Sequence, residues 1–239
     1  MTARNALVER GGEECRLHAK QKVMEVRIIE RGKNEVKFVL SGVETRFANA
    51  LRRAMIAEVP KLAIDEVNIH ENTSLLYDEQ LALRLALIPL KTDLGAYSDE
   101  DRVSLTLKAE SPERAGYTMV YSKELISSDP GVEAAFENIP IVKLISTERE
   151  IGSIRTVARQ KIALEAIARL GRGKKHAKWQ PVTTCGYRIV PGDEGEPNSV
   201  TFAVEGDGSV PVDEIIIEAA RIMQEKCQMV VDELTGKSK

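Results

Sequence analysis

Residues 171–176, with the sequence Gly-Arg-Gly-Lys-Lys-His, combine the glycines and lysines that phosphate-binding loops use. Nucleotide-binding loops place a glycine before a Lys-Ser or Lys-Thr pair and continue into an apolar helix, because the backbone N–H groups, the lysine and the hydroxyl then surround the phosphates. Here Lys174 is followed by Lys175, and Pro181 interrupts any helix within a few residues. The stretch therefore argues against a nucleotide-dependent enzyme and favours an exposed basic loop.

Asp65, Glu66, His70 and Glu71 are a second group with chemical potential, since their side chains can ligate a metal ion. They lie in a segment of alternating residues, where neighbours point to opposite faces, so Asp65 and Glu66 cannot both face one ion. No matching second cluster accompanies them. We therefore expect these side chains to be solvated surface groups.

The three cysteines, Cys15, Cys185 and Cys227, are widely separated and include no CxxC pair. They form neither a disulfide framework nor the ligand set of a zinc or iron–sulfur site. No serine, threonine or cysteine lies in a recognisable nucleophile motif. The sequence thus predicts no catalytic residue, no metal and no cofactor in this chain, and its cysteine usage indicates a reducing, cytoplasmic compartment.

The charge of the chain is unevenly distributed. The 239 residues include 34 Lys and Arg against 37 Asp and Glu, a formal charge of −3, which argues against a generally basic nucleic-acid-binding protein. Residues 155–178, however, hold eight basic residues and one acidic residue, a local charge of +7. This asymmetry predicts a docking face for an acidic protein surface or a nucleic acid. No apolar run approaches the ~20 residues that span a bilayer, so no membrane association is expected.

The elements that would position these groups begin with a hairpin, predicted from alternating residues over 23–29 and 35–40. Ser41 and Glu44 have the spacing of a capping box, and apolar residues then recur at helical intervals until Pro60. This pattern predicts the first helix of the chain.

Further alternation and turn signals predict the rest of the elements. A last hairpin precedes a helix of about two dozen residues that begins near Pro211. In chain order, the expected elements are a strand over 62–69, a helix over 77–87, a hairpin of 103–109 with 117–121, a loop over 127–138, a strand over 159–170, and the last hairpin of 184–190 with 199–205.

Two apolar helical stripes predict contact with a partner. The last helix is about 36 Å long at 1.5 Å per residue, which is about the width of a whole small domain. Part of it therefore remains for a partner helix to pack against. The stripes consist of Phe47, Ala50, Leu51 and Ala54 on the first helix, and of Ile216, Ala220, Met223, Cys227 and Val230 on the last.

Several ordered motifs resemble the family of the archaeal DNA-directed RNA polymerase D subunits. The resemblance covers about Met24 to Leu234. The motifs that carry it are Phe-Ala-Asn-Ala-Leu-Arg-Arg-Ala-Met at 47–55, Arg-Leu-Ala-Leu-Ile-Pro-Leu at 84–90, Gly-Arg-Gly-Lys-Lys-His-Ala-Lys-Trp-Gln-Pro-Val at 171–182, and the shorter matches at 36–40, 64–67, 76–79 and 81–82.

The resemblance implies an α+β fold of two domains, shared with the eukaryotic third-largest polymerase subunit and the bacterial alpha-subunit N-terminal domain. A discontinuous, alpha-like dimerisation domain, residues 23–57 and 185–239, would combine mixed strands with two packed helices. A mainly β domain, residues 58–184, would be inserted in it. Residues 1–22 are expected to form a flexible extension. Some relatives carry a ferredoxin-like insertion with clustered cysteines, which this sequence lacks, so no iron–sulfur cluster is expected.

In function, the resemblance implies a non-catalytic assembly subunit of a nucleotidyltransferase complex, archaeal RNA polymerase. The chain would pair with the small subunit L and hold the large catalytic subunits, alongside small polymerase subunits, so that DNA is contacted only through the complex. The two apolar stripes would form the interface with subunit L. The positions expected to dock other polymerase subunits are Asn49, Arg52, Arg53, Lys174, Lys175, His176, Lys178 and Trp179.

An alternative function follows from the charge pattern alone. The basic segment 155–178 could belong to an autonomous nucleic-acid-binding module, in which case the isolated chain would bind nucleic acid in a salt-sensitive manner.

Overall fold

The computed structural model describes residues 24–151, 154–191 and 199–236, so the expected extension at residues 1–22 lies outside the described residues. The described residues form three α-helices and eleven strands in three antiparallel sheets, which confirms the predicted α+β class. The helices are α1 (Thr45–Ala57), α2 (Asp78–Ala86) and α3 (Val212–Leu234). The strands are β1 (Glu25–Arg31), β2 (Glu35–Ser41), β3 (Pro60–Asn72), β4 (Arg102–Glu110), β5 (Gly116–Tyr121), β6 (Ile126–Ser127), β7 (Pro140–Ile151), β8 (Ile154–Ala158), β9 (Lys161–Arg172), β10 (Val182–Val190) and β11 (Ser199–Gly206).

The first sheet joins the early and late segments of the chain, in the order β1-β2-β11-β10. The first and the last of the three predicted hairpins are confirmed, since β1 pairs with β2 and β10 pairs with β11. The central pairing of β2 with β11 places Phe38 opposite Phe202, and the two rings stack with their centroids 5.0 Å apart. Segments far apart in sequence therefore share one sheet and one core.

Helices α1 and α3 cover one face of this sheet and pack against each other. Both were predicted, and the 23 residues of α3 match the expected length. The predicted capping box is wrong. Ser41 is the last residue of β2, and Gly42, with φ of 76°, turns the chain before α1 begins at Thr45. The N-cap residue is Glu44, and its side chain makes no capping hydrogen bond.

The second sheet has the order β3-β9-β4-β6, with α2 packed against it. Strand β9 confirms the predicted strand over 159–170, because every second side chain from Ile162 to Ala168 is buried. Helix α2 confirms the predicted short helix and buries Leu81 and Leu85 against β3 and β7. The hydrophobic core between this second sheet and α2 is separate from the core beneath α1 and α3.

The predicted hairpin of 103–109 with 117–121 is wrong. Strand β4 pairs with β9 and β6, whereas β5 pairs with β7 in a third sheet of order β5-β7-β8. The reason lies at the buried Ser111 between them. Its Oγ accepts from the backbone N–H of Gln160 at 2.8 Å and contacts Ser146 Oγ at 2.7 Å. These bonds hold the chain at a corner, from which the two strands diverge into different sheets.

A buried polar junction connects the two cores. The ammonium of Lys61, only 4% exposed, forms an ion pair with Asp207 in the turn before α3. Beside it, the backbone N–H of Thr92 donates to the carbonyl of Ser209 at 2.9 Å, and that of Leu62 donates to Thr92 Oγ1 at 3.1 Å. The division into two domains at the expected boundaries stays a prediction.

Candidate protein interaction surfaces

An apolar groove of about 310 Å³ lies over the β1 side of the first sheet, between α1 and α3. It exists because α1 packs mainly on β10, and α3 on β11 and β2, which leaves β1 uncovered. We call it the apolar groove. Its lining consists of Met24, Val26, Ile28, Val36, Phe38, Leu40, Phe47, Leu51, Asp213, Ile216, Ile217 and Ala220.

Strand β1 contributes the most exposed wall of the apolar groove. Val26 is paired with Leu40 and Ile28 with Phe38, so these side chains share the helix-covered face of the sheet. Yet Val26 is 57% exposed and Ile28 is 54% exposed, whereas Phe38 and Leu40 are each 3% exposed. Complete burial of such a side chain is worth about 1.5–3 kcal/mol. The groove is therefore a favourable site for an apolar partner.

The predicted interface residues of helix α1 lie in two environments, the apolar groove and the chain's own core. Phe47 and Ala50 are exposed, and Phe47 lines the apolar groove. Leu51 is buried but lies in the floor of the groove. Ala54 is covered by the chain's own core, together with Ala48, and so contributes to folding instead of to the free surface.

Helix α3 extends its stripe from the core into solvent. Ile216 and Ala220 line the apolar groove, while Met223 packs at the edge of the chain's own core. From Cys227 onward the apolar side chains are exposed. The exposed positions 227, 230, 231 and 234 have the i, i+3, i+4, i+7 spacing of one helix face, which no other described residue covers. We call them the α3 stripe: Cys227, Val230, Val231 and Leu234.

An ion pair closes one end of the apolar groove. Arg31 Nε, at the end of β1, donates to Asp213 Oδ2 at 3.1 Å, in the first turn of α3. A carboxylate is favourable there because the N-terminus of a helix carries partial positive charge. The bond ties the edge strand to the helix that forms the opposite wall.

The predicted basic loop, residues 171–176, packs closely against α1. The backbone N–H of Lys174 donates to the carbonyl of Ala57 at 2.8 Å. A Cβ atom at Gly173 would collide with the carbonyl of Ile56, and one at Gly171 would collide with the indole of Trp179. The glycines are therefore required for close packing, which explains their presence without phosphate binding.

Trp179 supports the loop from inside. It is 2% exposed, and its indole Nε1 donates to the carbonyl of Arg169 at 3.2 Å. The ammonium groups of Lys178 and Lys175 lie 4.3 Å and 5.0 Å from the centroid of its ring. This arrangement makes Trp179 a positioning residue, because its buried indole is not available to a partner.

Asp65 is half-buried beneath the same loop, contrary to the expectation of a solvated group. Lys178 Nζ donates to Asp65 Oδ1 at 2.6 Å and to the carbonyl of Ile64 at 3.0 Å. Burial alone would raise the pKa of Asp65, but the hydrogen bond from Lys178, with the charges of Lys178, Lys175 and Arg169, lowers that pKa below its ordinary value. Lys178 thus also serves mainly to hold the loop.

The remaining expected docking positions differ in exposure, since Asn49 and Arg52 are half-buried within α1, whereas Arg53 and the loop residues 174–176 are exposed. Lys174, Lys175 and His176 are exposed, although His176 also caps a short turn by accepting from the backbone N–H of Lys178 at 3.1 Å. Arg53 is exposed one helical turn before Ala57, the residue that Lys174 contacts. Asn49 accepts from Arg52 Nη2 at 3.1 Å. The fold thus brings together the two predicted sets, which are distant in sequence.

Most of the positive charge of segment 155–178 is neutralised by carboxylates from other elements. Glu110 pairs with both Arg159 and Lys161, at 2.9 Å and 3.0 Å. The other pairs within the described residues are Arg169 with Glu66 and with Asp65, Arg172 with Asp99, and Lys178 with Asp65. The local charge of +7 therefore does not produce an equally basic surface.

The described residues contain no group of three or more His, Cys, Asp or Glu side chains that could hold a metal ion. Among the same residues, no helix is long and apolar enough to cross a membrane.

Sequence reasoning missed part of the apolar groove, namely Met24, Val26, Ile28 and Ile217. A usable signal was present, since Val26 and Ile28 alternate with charged residues on a strand whose hairpin partner was already assigned. The hairpin pairing would have placed them beside the apolar face of β2.

The amino-acid sequence matches a family of RNA polymerase dimerisation domains. The chain belongs to the RNA polymerase Rpb3/Rpb11 dimerisation domain family, which matches residues 37–227. Among its relatives is the DNA-directed RNA polymerase subunit Rpo3 of Methanosarcina acetivorans, 48% identical over 70% of this chain and 62% of the relative's length.

Other relatives align along most of their length. The subunit Rpo3 of Pyrococcus furiosus is 36% identical over 88% of this chain and 97% of the relative. That of Archaeoglobus fulgidus is 31% identical over 85% of this chain and 95% of the relative.

Proposed function

We propose that this chain is a non-catalytic assembly subunit of an archaeal DNA-directed RNA polymerase. In this role it pairs with the small subunit L, and the resulting heterodimer holds the large catalytic subunits during transcription. Membership of the dimerisation family and relatives named as subunit Rpo3 support the proposal. The observation that carries it is the apolar groove, with its nearly uncharged lining, beside the α3 stripe.

The groove and the stripe suit a partner that presents helices of its own. Side chains of a partner helix can enter the space between α1 and α3, while the α3 stripe packs on the partner's body. Apolar area is then buried on both sides, as in stable heterodimers. The groove offers a partner mainly apolar side chains, with the Arg31–Asp213 pair as a charged contact at its rim.

A second surface is proposed to dock other polymerase subunits. It consists of the exposed end of α1 and the loop that contacts it, with Arg53, Lys174 and Lys175 as its exposed cations. This surface and the apolar groove involve different residues, so both can be occupied at once.

The alternative function, an autonomous nucleic-acid-binding module, receives less support. Five of the eight basic residues in segment 155–178 are paired with carboxylates of this chain. Nucleic-acid affinity depends on cations that neutralise phosphates, and paired cations contribute little.

The test is to mix the purified chain with a purified archaeal subunit L and to measure the mass of the product by light scattering during gel filtration. We expect a complex with one copy of each chain. If both proteins are folded and elute separately at micromolar concentration, the proposal of pairing with subunit L is wrong.

A further inference from the structure

The exposed cations at the end of α1 are held on a rigid support. The buried Trp179, the close-packed Gly171 and Gly173, and the Lys178–Asp65 ion pair fix the loop that carries them. Arg53 is included because it is exposed one helical turn before Ala57, whose carbonyl accepts from the backbone N–H of Lys174. We call Arg53, Lys174 and Lys175 the cationic platform.

The three side chains of the platform form no salt bridge within the described part of the chain, unlike the neighbouring basic residues. The Lys175 ammonium lies 5.0 Å from the centroid of the Trp179 ring, and its charge also helps to lower the pKa of Asp65, but it forms no salt bridge with that carboxylate in the described residues. Each cation therefore keeps its capacity to pair with an anionic group of another molecule. Because the loop is already ordered, binding costs little conformational entropy of the backbone.

The surroundings of the platform determine which anionic partner fits. The other basic residues of the same part of the chain are already paired: Lys178 with Asp65, Arg169 with Glu66 and Arg172 with Asp99. A nucleic acid carries a phosphate every few ångströms, and its affinity depends on many cations that neutralise these phosphates, so three unpaired cations favour a shorter anionic partner. A short run of acidic side chains can end where the cations end.

We propose that the cationic platform binds an acidic peptide segment of a neighbouring protein subunit, with carboxylates paired to Arg53, Lys174 and Lys175. The inference rests on the proposed docking role of this face and adds the chemistry of its partner. Trp179, Lys178 and His176 position the loop, and the three platform residues make the contacts.

The test uses the full chain and two fluorescein-labelled probes, a peptide of six consecutive glutamates and a duplex DNA of similar charge, titrated at low ionic strength with anisotropy detection. We expect the wild-type chain to bind the peptide more tightly than the DNA, and the affinity to fall as salt is added. The double variant Lys174→Glu and Lys175→Glu should weaken peptide binding about tenfold, since two favourable pairs become repulsive.

A matched control reverses the charge of two exposed lysines outside the platform, Lys33→Glu and Lys108→Glu. It changes the net charge by the same amount as the Lys174/Lys175 variant. It should retain most of the peptide affinity, and both double variants should remain folded, as circular dichroism can verify. Equal loss in both variants, no peptide binding by the wild type, or tighter binding of DNA that disappears in the Lys174/Lys175 variant would overturn the inference.

Measurement of subunit L binding by the same variants separates the two proposals. If the Lys174/Lys175 variant keeps its binding to subunit L but loses its binding to the peptide, both proposals are supported. Absence of L binding in the wild type contradicts the pairing proposal and leaves the peptide result to decide this inference alone.

Discussion

The backbone N–H of Lys174 donates to the carbonyl oxygen of Ala57 at 2.8 Å, so the loop after β9 caps the C-terminal end of α1. The last carbonyls of a helix lack partners within the helix, and a loop N–H satisfies one of them. This one bond places the basic loop beside Arg53, more than a hundred residues away in sequence. The cationic platform exists because of this contact.

Because Gly173 is closely packed, we expect a single added methyl group at this position to lower the stability of the fold. Gly173→Ala would force its Cβ into the carbonyl of Ile56 and to 2.8 Å from Gln180 Cγ. We expect a loss of about 1–3 kcal/mol in the free energy of unfolding, measured by urea denaturation. Gly186→Ala is the control, because nothing lies within 4 Å of the added atom. Equal stability of the two variants would show that the loop does not pack as described.

The buried Lys61–Asp207 pair predicts a large cost for removing one partner. Lys61→Met leaves a mostly buried carboxylate without its cation, and we expect a loss of about 3–5 kcal/mol in the free energy of unfolding. Lys37→Met, which removes an exposed pair with Glu30, should change stability little. Adding Asp207→Asn to Lys61→Met should recover part of the loss. Additive losses would contradict the coupling of the two groups.

The environment of Asp65 predicts a pH-dependent contribution to stability. Because the folded-state pKa of Asp65 is lowered from 3.8, its ionised form stabilises the fold fully above that value. The contribution is lost as the pH falls through the folded-state pKa. Asp65→Asn should therefore destabilise the protein at neutral pH, and its difference from the wild type should vanish in strong acid. A difference that does not change with pH would exclude the Lys178–Asp65 pair as its source.

The two cysteines in the described residues should differ in reactivity. Burial raises the pKa of Cys185 to about 11, whereas Cys227 is exposed on the α3 stripe. In a Cys15→Ala background at mildly alkaline pH, iodoacetamide should therefore modify Cys227 first, because burial shields the Cys185 thiol and its raised pKa leaves it with less of the reactive thiolate. Peptide mass spectrometry over time measures both rates. Faster modification of Cys185 would contradict the burial described.

Subunit L should protect Cys227 if the α3 stripe is part of the interface. Burial of the thiol against a partner helix removes access of the reagent. We expect modification of Cys227 to slow at least tenfold when the complex forms, while the slow rate of Cys185 stays unchanged. An unchanged Cys227 rate in a complex of confirmed mass would remove the stripe from the interface.

Local patterns in the sequence were sufficient for most elements of the fold. Alternation identified β9, and helical spacing with flanking prolines identified α1 and α3. The error at β4 and β5 arose because adjacent strands were assumed to pair. Their separation depends on hydrogen bonds of Ser111 with Ser146 and Gln160, which distant segments supply and a local pattern does not reveal.

The candidate surfaces were only partly predictable, for the same reason. Helical spacing cannot say which side of an apolar stripe meets the chain's own sheet, so Ala54 was assigned to a free surface although it is buried. The resemblance likewise assigned Lys178 to docking, although its ammonium is paired with Asp65 from another strand. The apolar groove depends on how far two helices spread across a sheet, which only the folded chain defines.

The most direct test of the proposed pairing is the affinity of the chain for subunit L when one wall of the apolar groove carries a charge. Ile217 is 58% exposed and lines the groove, so Ile217→Glu should not disturb the chain's own core. Ile126→Glu is the matched control, since Ile126 is 71% exposed and lies outside the groove.

Isothermal titration with subunit L should show that Ile217→Glu weakens binding at least a hundredfold, because the carboxylate is buried without a partner. Ile126→Glu should bind as the wild type does. If the folded Ile217→Glu variant binds subunit L with wild-type affinity, the apolar groove is not the dimer interface.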